Sequence, residues 1–402
     1  MKRSYCLKTL LLTAFFALAM LVPIFSRGET GTVPETAGPL TAEDIEQRIG
    51  ELSRETDLSD WEIWFDRLKE LSHEAAGFRS VNGFIEALAE NPDAAVQNSF
   101  SNVLAELFLP GLRSALSVMI PVAAIAVLTG LCSIVFDEGG TKKLVLLFLC
   151  ASAILGVTAV FSGLAGEVDA AVNDAASFCG IAAPALGTLL AGMGAAASAG
   201  LLAPRLAFAA DGIAAFIRSV VIPMLLASGV LTVLNGLTDA LRLGRTVKLL
   251  HKTAKWLLAL AGACYTAFAV AGGLGAAAAD GISFRTARFA VDRLIPAAGG
   301  LVGGAADALR AGTLLFKNAA GSASILILAA VILRPLMTAA CGMLAFRAAA
   351  AVTEPFSDEH IPGMLDGLAD TVSLLFAAAC SVFAMFTVTV MMIIAAGSTM
   401  FG

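Results

Sequence analysis

The sequence predicts an all-α polytopic membrane protein, and two observations carry that prediction. The chain of 402 residues is 58% apolar and only 14% charged, whereas about a quarter of the residues in soluble domains are charged. Its mean hydropathy of +0.84 implies more apolar surface than one water-facing globule can bury. We expect a signal peptide (1–26), a small exported helical segment (27–109) and a polytopic transmembrane domain (110–402) with about six to seven transmembrane helices.

Charge and cysteine content argue against several classes of protein. The net charge of -6 and the pI near 5.2 argue against a nucleic-acid binder, which usually carries a basic surface. The three His and seven Cys include no C-x-x-C pair, so we expect neither a metal nor a cofactor. Six cysteines lie in or beside apolar stretches, where a free thiol acts as a small hydrophobic group: Cys132, Cys150, Cys179, Cys264, Cys341 and Cys380.

The N terminus has the pattern of an export signal. Lys2, Arg3 and Lys8 flank the start of an apolar run from Leu10 to Val22, which is too short to span a bilayer comfortably. We therefore expect cleavage near Ser26 and a following chain outside the cytoplasm. Because the residues there do not form a clean A-x-A site, an uncleaved anchor is the alternative.

The exported segment shows helical periodicity. Thr41 and Asp44 have the spacing of a capping box, and a second helix carries an apolar stripe of Trp61, Trp64 and Phe65 continued by Leu68. This stripe indicates a packing face rather than a ligand site. Docking of a partner or the lipid interface is the alternative, because about 80 residues is at the small end for an independent core.

After Pro110 the chain reads as a series of apolar spans separated by short polar stretches. Gly180–Ala203 is built of Gly, Ala and Pro184, which indicates either a closely packed buried helix or a re-entrant segment. Amphipathic pieces are predicted at Glu167–Ser177, Pro204–Arg218 and Ser283–Leu294. The six predicted full spans are Leu112–Phe136, Leu144–Leu164, Ser219–Leu237, Trp256–Ala279, Ser322–Phe346 and Thr371–Ala396.

Basic residues predict the topology, because short cytoplasmic loops carry the Lys/Arg excess. The richest short loop is Asp239–Lys255, with five basic residues and one acid, so we place it in the cytoplasm. A full crossing by Gly180–Ala203 would put this loop outside. We therefore interpret that segment as re-entrant, or as half of a pair with Pro204–Arg218, and expect six full spans with the C terminus outside.

Arg334 and Pro335 are the strongest candidates for a functional position at membrane depth. Arg334 lies well inside an apolar run, where ionisable groups are costly unless they face a cavity or a partner. Pro335 frees a backbone carbonyl nearby. We favour a structural role for Arg334, either snorkelling or pairing with an acid such as Asp307. A water-filled path or a ligand site is the alternative.

Two further features have a structural interpretation. Asp211 and Arg218 share a helix face, as do Arg288 and Asp292, and we expect these pairs to hold amphipathic helices against the bundle. Small residues at the spacing G-x-x-x-G allow backbones to approach closely, and their place here suggests irregular backbone inside the membrane. The pattern occurs twice, in Gly299, Gly300, Gly303 and Gly304.

Residues Ala279–Pro335 resemble the signature region of stage III sporulation protein AE of endospore-forming bacteria. The D-G-x-x-x-R-T-A-[KR] block contains Asp280, Arg285 and Arg288. The Ile295-Pro296 step and Leu315-Phe316-Lys317-Asn318 with Gly321 carry most of the rest. The stretch 221–258 fits as well, and the resemblance extends from about Leu112 to the C terminus.

The resemblance implies a non-enzymatic subunit of the sporulation channel complex that connects mother cell and forespore. Such a subunit sits in the mother-cell-derived membrane around the forespore, with its outside facing the intermembrane space. The implied partners are products of the same operon, including ring-forming single-span proteins and a cytoplasmic ATPase, together with a forespore membrane partner. The complex keeps the forespore intact and active in late gene expression.

A second function belongs to a different class. Gly/Pro-interrupted segments and Arg334 at depth are also typical of a self-sufficient secondary transporter or permease. Such a protein should show corresponding interrupted segments in its two halves, and Gly180–Ala203 with Ala297–Gly312 is the only pair that we identify. Because no internal repeat supports this pair, we favour the sporulation subunit.

Overall fold

The computed structural model describes residues 49–51, 58–71, 77–90, 140–192, 198–237, 243–294, 299–355 and 360–398, with isolated positions between 113 and 128. For 272–294 and 299–312 it describes the backbone. Every regular element among these residues is a helix. The α-helices are α1 (Glu62–Leu71), α2 (Val81–Glu90), α3 (Gly140–Gly192), α4 (Ala203–Phe216), α5 (Ile222–Leu237), α6 (Gly244–Leu294), α7 (Gly299–Thr353) and α8 (His360–Ser398).

The two short helices α1 and α2 belong to the predicted exported segment. Ser80 directly precedes α2, and its hydroxyl accepts a hydrogen bond from the Gly83 amide at 3.3 Å, as expected of an N-cap. The Glu62 carboxylate of α1 accepts the Val81 amide at 3.0 Å, which ties the two helices together. Their apolar faces meet through Phe65 and Phe84, whose ring centroids lie 5.2 Å apart.

Helix α3 is much longer than the predicted spans. Its 53 residues extend over about 80 Å at 1.5 Å per residue. It joins Leu144–Leu164, Glu167–Ser177 and the first half of Gly180–Ala203 without interruption, so the predicted breaks between these pieces are wrong. Pro184 lies inside α3 and removes one backbone hydrogen bond. The helix continues through it because the surrounding alanines are strong helix formers.

The next helical run is also continuous. A π-helical turn (Ser198–Leu202), α4, a second π-helical turn (Ile217–Val221) and α5 follow one another without a loop. Pro204–Arg218 and Ser219–Leu237 are therefore parts of one run, contrary to the predicted boundary between them. Gly180–Ala203 is no separate element, because its halves belong to α3 and to this run.

Helical runs that follow one another along the chain are antiparallel, and close contacts fix their register. A Cβ atom at Gly229 of α5 would overlap the Phe161 ring of α3, and one at Gly342 of α7 would overlap the Leu164 side chain of α3. Helix α8 packs against α3, α5, α6 and α7 and is the central element. Its chain direction matches that of α3, because both pair antiparallel with α5 and α7.

Four helical runs in the described part of the chain are long and apolar enough to cross a bilayer: Ala151–Ala191, Ala199–Gly236, Thr313–Thr353 and Ile361–Ala396. The predicted span Trp256–Ala279 lies within α6. The predicted span Leu112–Phe136 falls mostly outside the described residues, as does the predicted signal peptide. The count of six to seven spans therefore stays a prediction.

Candidate functional site: a polar groove between apolar helices

A groove between α3 and α4 combines charge with an apolar surrounding. It encloses about 320 Å³ and lies between the middle of α3 and the end of α4, where α4 leads into the second π-helical turn. We call it the polar groove. Its lining residues come from α3 and from the α4 run: Val172, Asn173, Ala176, Ser177, Gly180, Asp211, Ala214, Ala215 and Arg218.

Arg218 is the central side chain of the polar groove. Its Nε donates a hydrogen bond to Asp169 Oδ1 at 2.9 Å, and its Nη2 lies 3.3 Å from Asp169 Oδ2. Nη1 donates to Asn173 Oδ1. A planar guanidinium that meets a carboxylate with two nitrogens is a directional, charge-assisted contact. The two side chains are 40% and 38% exposed, so this pair is open to whatever borders the groove.

The backbone at Arg218 departs from the α-helix. Arg218 lies in the π-helical turn Ile217–Val221, which is flanked on both sides by regular α-helix. Single π-helical turns inside α-helices are frequent at functional sites. Here the turn places a charged side chain against α3 while Ile217 and Val221 remain buried in the core.

Asp211 is the second acidic group of the polar groove. Its side chain is exposed, and it forms no ion pair or hydrogen bond with any described residue. The prediction that Asp211 and Arg218 share a face is confirmed, since both line the groove. Arg218 holds its helical run against α3 through Asp169, as predicted, whereas Asp211 makes no such contact with a described residue. Because Arg218 already pairs with Asp169, Asp211 is left without a counter-charge among the described residues of the groove.

Helix α1 docks on α3 next to the polar groove. Arg67 forms an ion pair with Asp174 at 2.6 Å, and the Trp61 and Trp64 rings make edge contacts with Phe178 at 5.6 and 6.1 Å. Trp61, Phe65 and Leu68 of the predicted stripe are buried. The packing interpretation of this stripe is therefore confirmed, and part of the surface that it packs against is α3.

A second polar position lies between α7 and the end of α8. Lys317 is fully buried, and its Nζ donates a hydrogen bond to the Ile394 carbonyl at 2.5 Å. Cations are favoured near the last carbonyls of a helix because these carry the negative end of the helix dipole. Asn318 Oδ1 beside it is buried without a hydrogen-bond partner among the described atoms. A Cβ at Gly321 would overlap Ile394, so glycine permits this close approach.

Contacts at the opposite end of α8 join it to α6 and α7. Arg347 pairs with Asp370 at 3.2 Å. His251 Nε2 lies 3.0 Å from Thr371 Oγ1, and it is the donor, because the Thr371 hydroxyl donates to the Gly367 carbonyl. Burial lowers the pKa of His251 below its ordinary value.

The structure separates the predicted site residues. Arg334 and Pro335 lie inside α7, where Thr338 Oγ1 donates a hydrogen bond to the Arg334 carbonyl at 3.0 Å. Arg334 is exposed and lies outside the polar groove. The side chain of Asp307, its suggested partner, is outside the described residues.

The other predicted positions are described by their backbone. Gly299, Gly300, Gly303 and Gly304 lie in the first turns of α7, so the prediction of irregular backbone at these glycines is wrong. Glycine is a poor helix former but is tolerated in a long helix with stronger formers. Asp280, Arg285 and Arg288 lie on α6. Their side chains, and that of Asp292, are outside the described residues.

Sequence reasoning missed Asp169, Asn173 and Lys317 as site residues. Asp169 and Asn173 were parts of an amphipathic piece, and the spacing of four residues between them is the only local signal that they face one partner. No group of three or more His, Cys, Asp or Glu side chains that could hold a metal occurs in the part of the chain that the structure describes.

Comparison with known proteins gives a family. A family profile described as stage III sporulation protein AE matches residues 80–397. A protein of Bacillus subtilis (strain 168) with the same name is 28% identical over 228 residues, which is 57% of this chain and 57% of that protein. The match thus spans a little over half the length of this relative. No solved structure matches.

Proposed function

Because this chain belongs to the stage III sporulation protein AE family, we propose that it is a membrane subunit of the sporulation channel complex linking mother cell and forespore. The single observation that carries this proposal is the family match, which covers both the polar groove and the Lys317 position. Four helical runs that can cross a bilayer support a membrane location. In this role the protein is required for forespore development and late forespore gene expression.

The proposed topology places the N-terminal segment outside the cytoplasm and the start of α6 inside it. Arg245, Lys248, Lys252 and Lys255 are all exposed on the first turns of α6, and cytoplasmic loops carry such a basic excess. Trp256 follows them and is 62% exposed. Tryptophan is enriched at the membrane–water interface, so this position supports an interface at the end of the basic turns.

The proposed partners follow from the same role. They are ring-forming single-span proteins and a cytoplasmic ATPase encoded with this subunit, together with a forespore membrane partner. The packing of α1 on α3 supports an outside face that is fixed to the bundle through Arg67 and Asp174. This arrangement offers a rigid surface for proteins in the intermembrane space, and we assign no catalytic role to the chain.

Cysteine labelling tests the topology. Ile63 is 72% exposed on α1 and Lys252 is exposed on α6, so both positions tolerate a reporter thiol. In intact vegetative cells that express the protein, Ile63→Cys should react with a membrane-impermeant maleimide and Lys252→Cys should not. The unsubstituted chain gives the background of the native thiols. Reaction of Lys252→Cys from outside would overturn the topology.

Affinity purification tests the function. Full-length tagged protein from sporulating cells should recover the operon-encoded membrane proteins, as read by mass spectrometry. The polar groove, with its charged lining, is the observation that favours a self-sufficient permease as the second candidate. Recovery of the protein alone, with uptake of small solutes by vesicles that contain only this protein, would decide for the permease.

A further inference from the structure

Arg334 is an isolated cation in the middle of a buried helix. Between Leu315 and Leu344, every side chain of α7 other than that of Arg334 is buried or half-buried. Arg334 forms no ion pair or side-chain hydrogen bond with any described residue. It lies thirteen residues from Arg347 and seventeen from Lys317, about 20 and 25 Å along the helix. Arg334 is the one charged residue of α7 between Lys317 and Arg347.

Asp211 is an isolated anion on another side of the same bundle. It is exposed at the polar groove and also has no partner among the described residues. Helix α4 packs against α3, α6 and α8, whereas α7 packs against α1, α2, α3 and α8. Each charge lies in an otherwise apolar helical run, where pairing with an opposite charge is favourable.

The two charges lie at matching depths. The contact between Gly342 of α7 and Leu164 of α3 defines a common level along the axis of the bundle. Arg334 precedes Gly342 by eight residues, so it lies about 12 Å from that level. Asp169 lies five residues along α3 in the same direction, at about 8 Å. Asp211 lies about two helical turns, or roughly 10 Å, beyond the guanidinium that pairs with Asp169. The depth of Arg334 thus falls between those of the two carboxylates.

We propose that Arg334 of one copy of this chain enters the polar groove of a second copy and pairs with Asp211. The occupant is a second copy because the chain itself carries the missing cation, exposed, unpartnered and at the required depth. Asp169 already pairs with Arg218, so an added arginine supplies the counter-charge that Asp211 lacks in the groove. Arginine suits this position because its planar fork can make a bidentate contact with a carboxylate.

The contact joins two different surfaces of the same chain and is therefore heterologous. Repetition of such a contact generates a ring if the rotation closes, and an open chain of subunits if it does not. In either case the unpaired charges of every interior copy are satisfied. This inference concerns the chain alone, and it can fail without affecting the proposed membership in a larger complex.

Co-purification of two differently tagged full-length copies tests the proposal. Capture of one tag should recover the other, and Asp211→Asn or Arg334→Gln should each lower this recovery at least about tenfold, because each leaves a charge unpaired at the interface. The charge-swapped chain Asp211→Arg with Arg334→Asp should restore it. The matched control is Lys252→Gln, which removes an exposed charge at the basic end of α6 and should have no effect.

Cross-linking gives a measurement that does not depend on altered stability. A copy with Asp211→Cys and a differently tagged copy with Arg334→Cys should form an intermolecular disulfide in native membranes on mild oxidation. Each cysteine variant with an unsubstituted partner gives the background of the native thiols. Leu344→Cys, ten residues further along α7, should not cross-link to position 211. Failure of the 211–334 cross-link at normal protein abundance would overturn the proposal, as would normal co-purification of both neutral variants.

Discussion

Arg218 and Lys317 both place a cation among apolar helices, but the surroundings of the two cations differ. Lys317 is fully buried and donates to one backbone carbonyl at the end of α8. Arg218 is 40% exposed and meets the carboxylate of Asp169 in an open groove. A buried cation against a helix end is held by packing and cannot change partners. A half-exposed cation in a groove that also contains the unpaired Asp211 can take part in binding. We therefore assign a functional role to the groove and a structural role to Lys317.

The largest effect is expected at the buried cation. Lys317→Glu would put a carboxylate against the Ile394 carbonyl and the negative end of the α8 dipole. Breaking a buried charge interaction in this way costs about 3–5 kcal/mol. Thermal unfolding in detergent and membrane abundance measure the loss. Lys252→Glu makes the same charge change at an exposed position. Equal stability of the two variants would show that Lys317 does not hold α8.

A smaller effect is expected at the glycine that permits this packing. Gly321→Ala should cost about 1–3 kcal/mol, because the added methyl group would overlap Ile394 in a filled core. Ile394→Ala in the same chain should recover part of the loss. At Gly166 of α3 nothing lies within 4 Å of an added Cβ, so Gly166→Ala should stabilise by about 0.5–1 kcal/mol. If both alanine variants behave alike in thermal unfolding, α7 and α8 do not meet closely at this position.

A still smaller effect is expected at the groove. Arg218→Ala should lower the free energy of unfolding by less than about 1 kcal/mol, the usual range for exposed ion pairs. A double-mutant cycle with Asp169→Ala isolates the contact. Glu167→Ala with Arg218→Ala serves as the control pair, because Glu167 is exposed on α3 and makes no hydrogen bond or ion pair with Arg218. A loss at Arg218 as large as that expected for Lys317→Glu would contradict the division between a binding groove and a structural cation.

The sequence predicts the helical membrane class because composition and hydropathy act over the whole chain. It also predicts that the Trp61 stripe packs, since apolar periodicity reports which helix face is buried. It does not predict helix length. Glu167–Ser177 reads as an interruption because polar residues usually mark an interface, yet α3 continues through it. Its Asp169 and Asn173 are satisfied by Arg218, 45 or more residues away.

The sequence does not predict the site residues, because their partners are distant along the chain. The Asp174 partner, Arg67, lies 107 residues earlier in the chain, and the burial of Lys317 depends on where α8 ends. Such pairings are properties of the tertiary fold, which no local pattern encodes. Arg334 was predicted as a structural or snorkelling side chain. Its position as an exposed charge among buried and half-buried side chains of α7 depends on the tertiary packing of that helix.

The smallest effect is expected at His251, which joins α6 to α8 at the opposite end of the bundle from Lys317. Its folded-state pKa lies below the ordinary value of 6.5, because burial and then Lys255 disfavour the charged form, while Asp370 opposes this shift. The folded state therefore resists protonation, so its stability is complete above pH 6.5 and decreases as the pH falls below it. Thermal unfolding at pH 7.5 and 5.5 should show this decrease. His251→Gln keeps an amide donor for Thr371 and should make the decrease smaller, whereas an unchanged pH dependence would exclude His251 as its source.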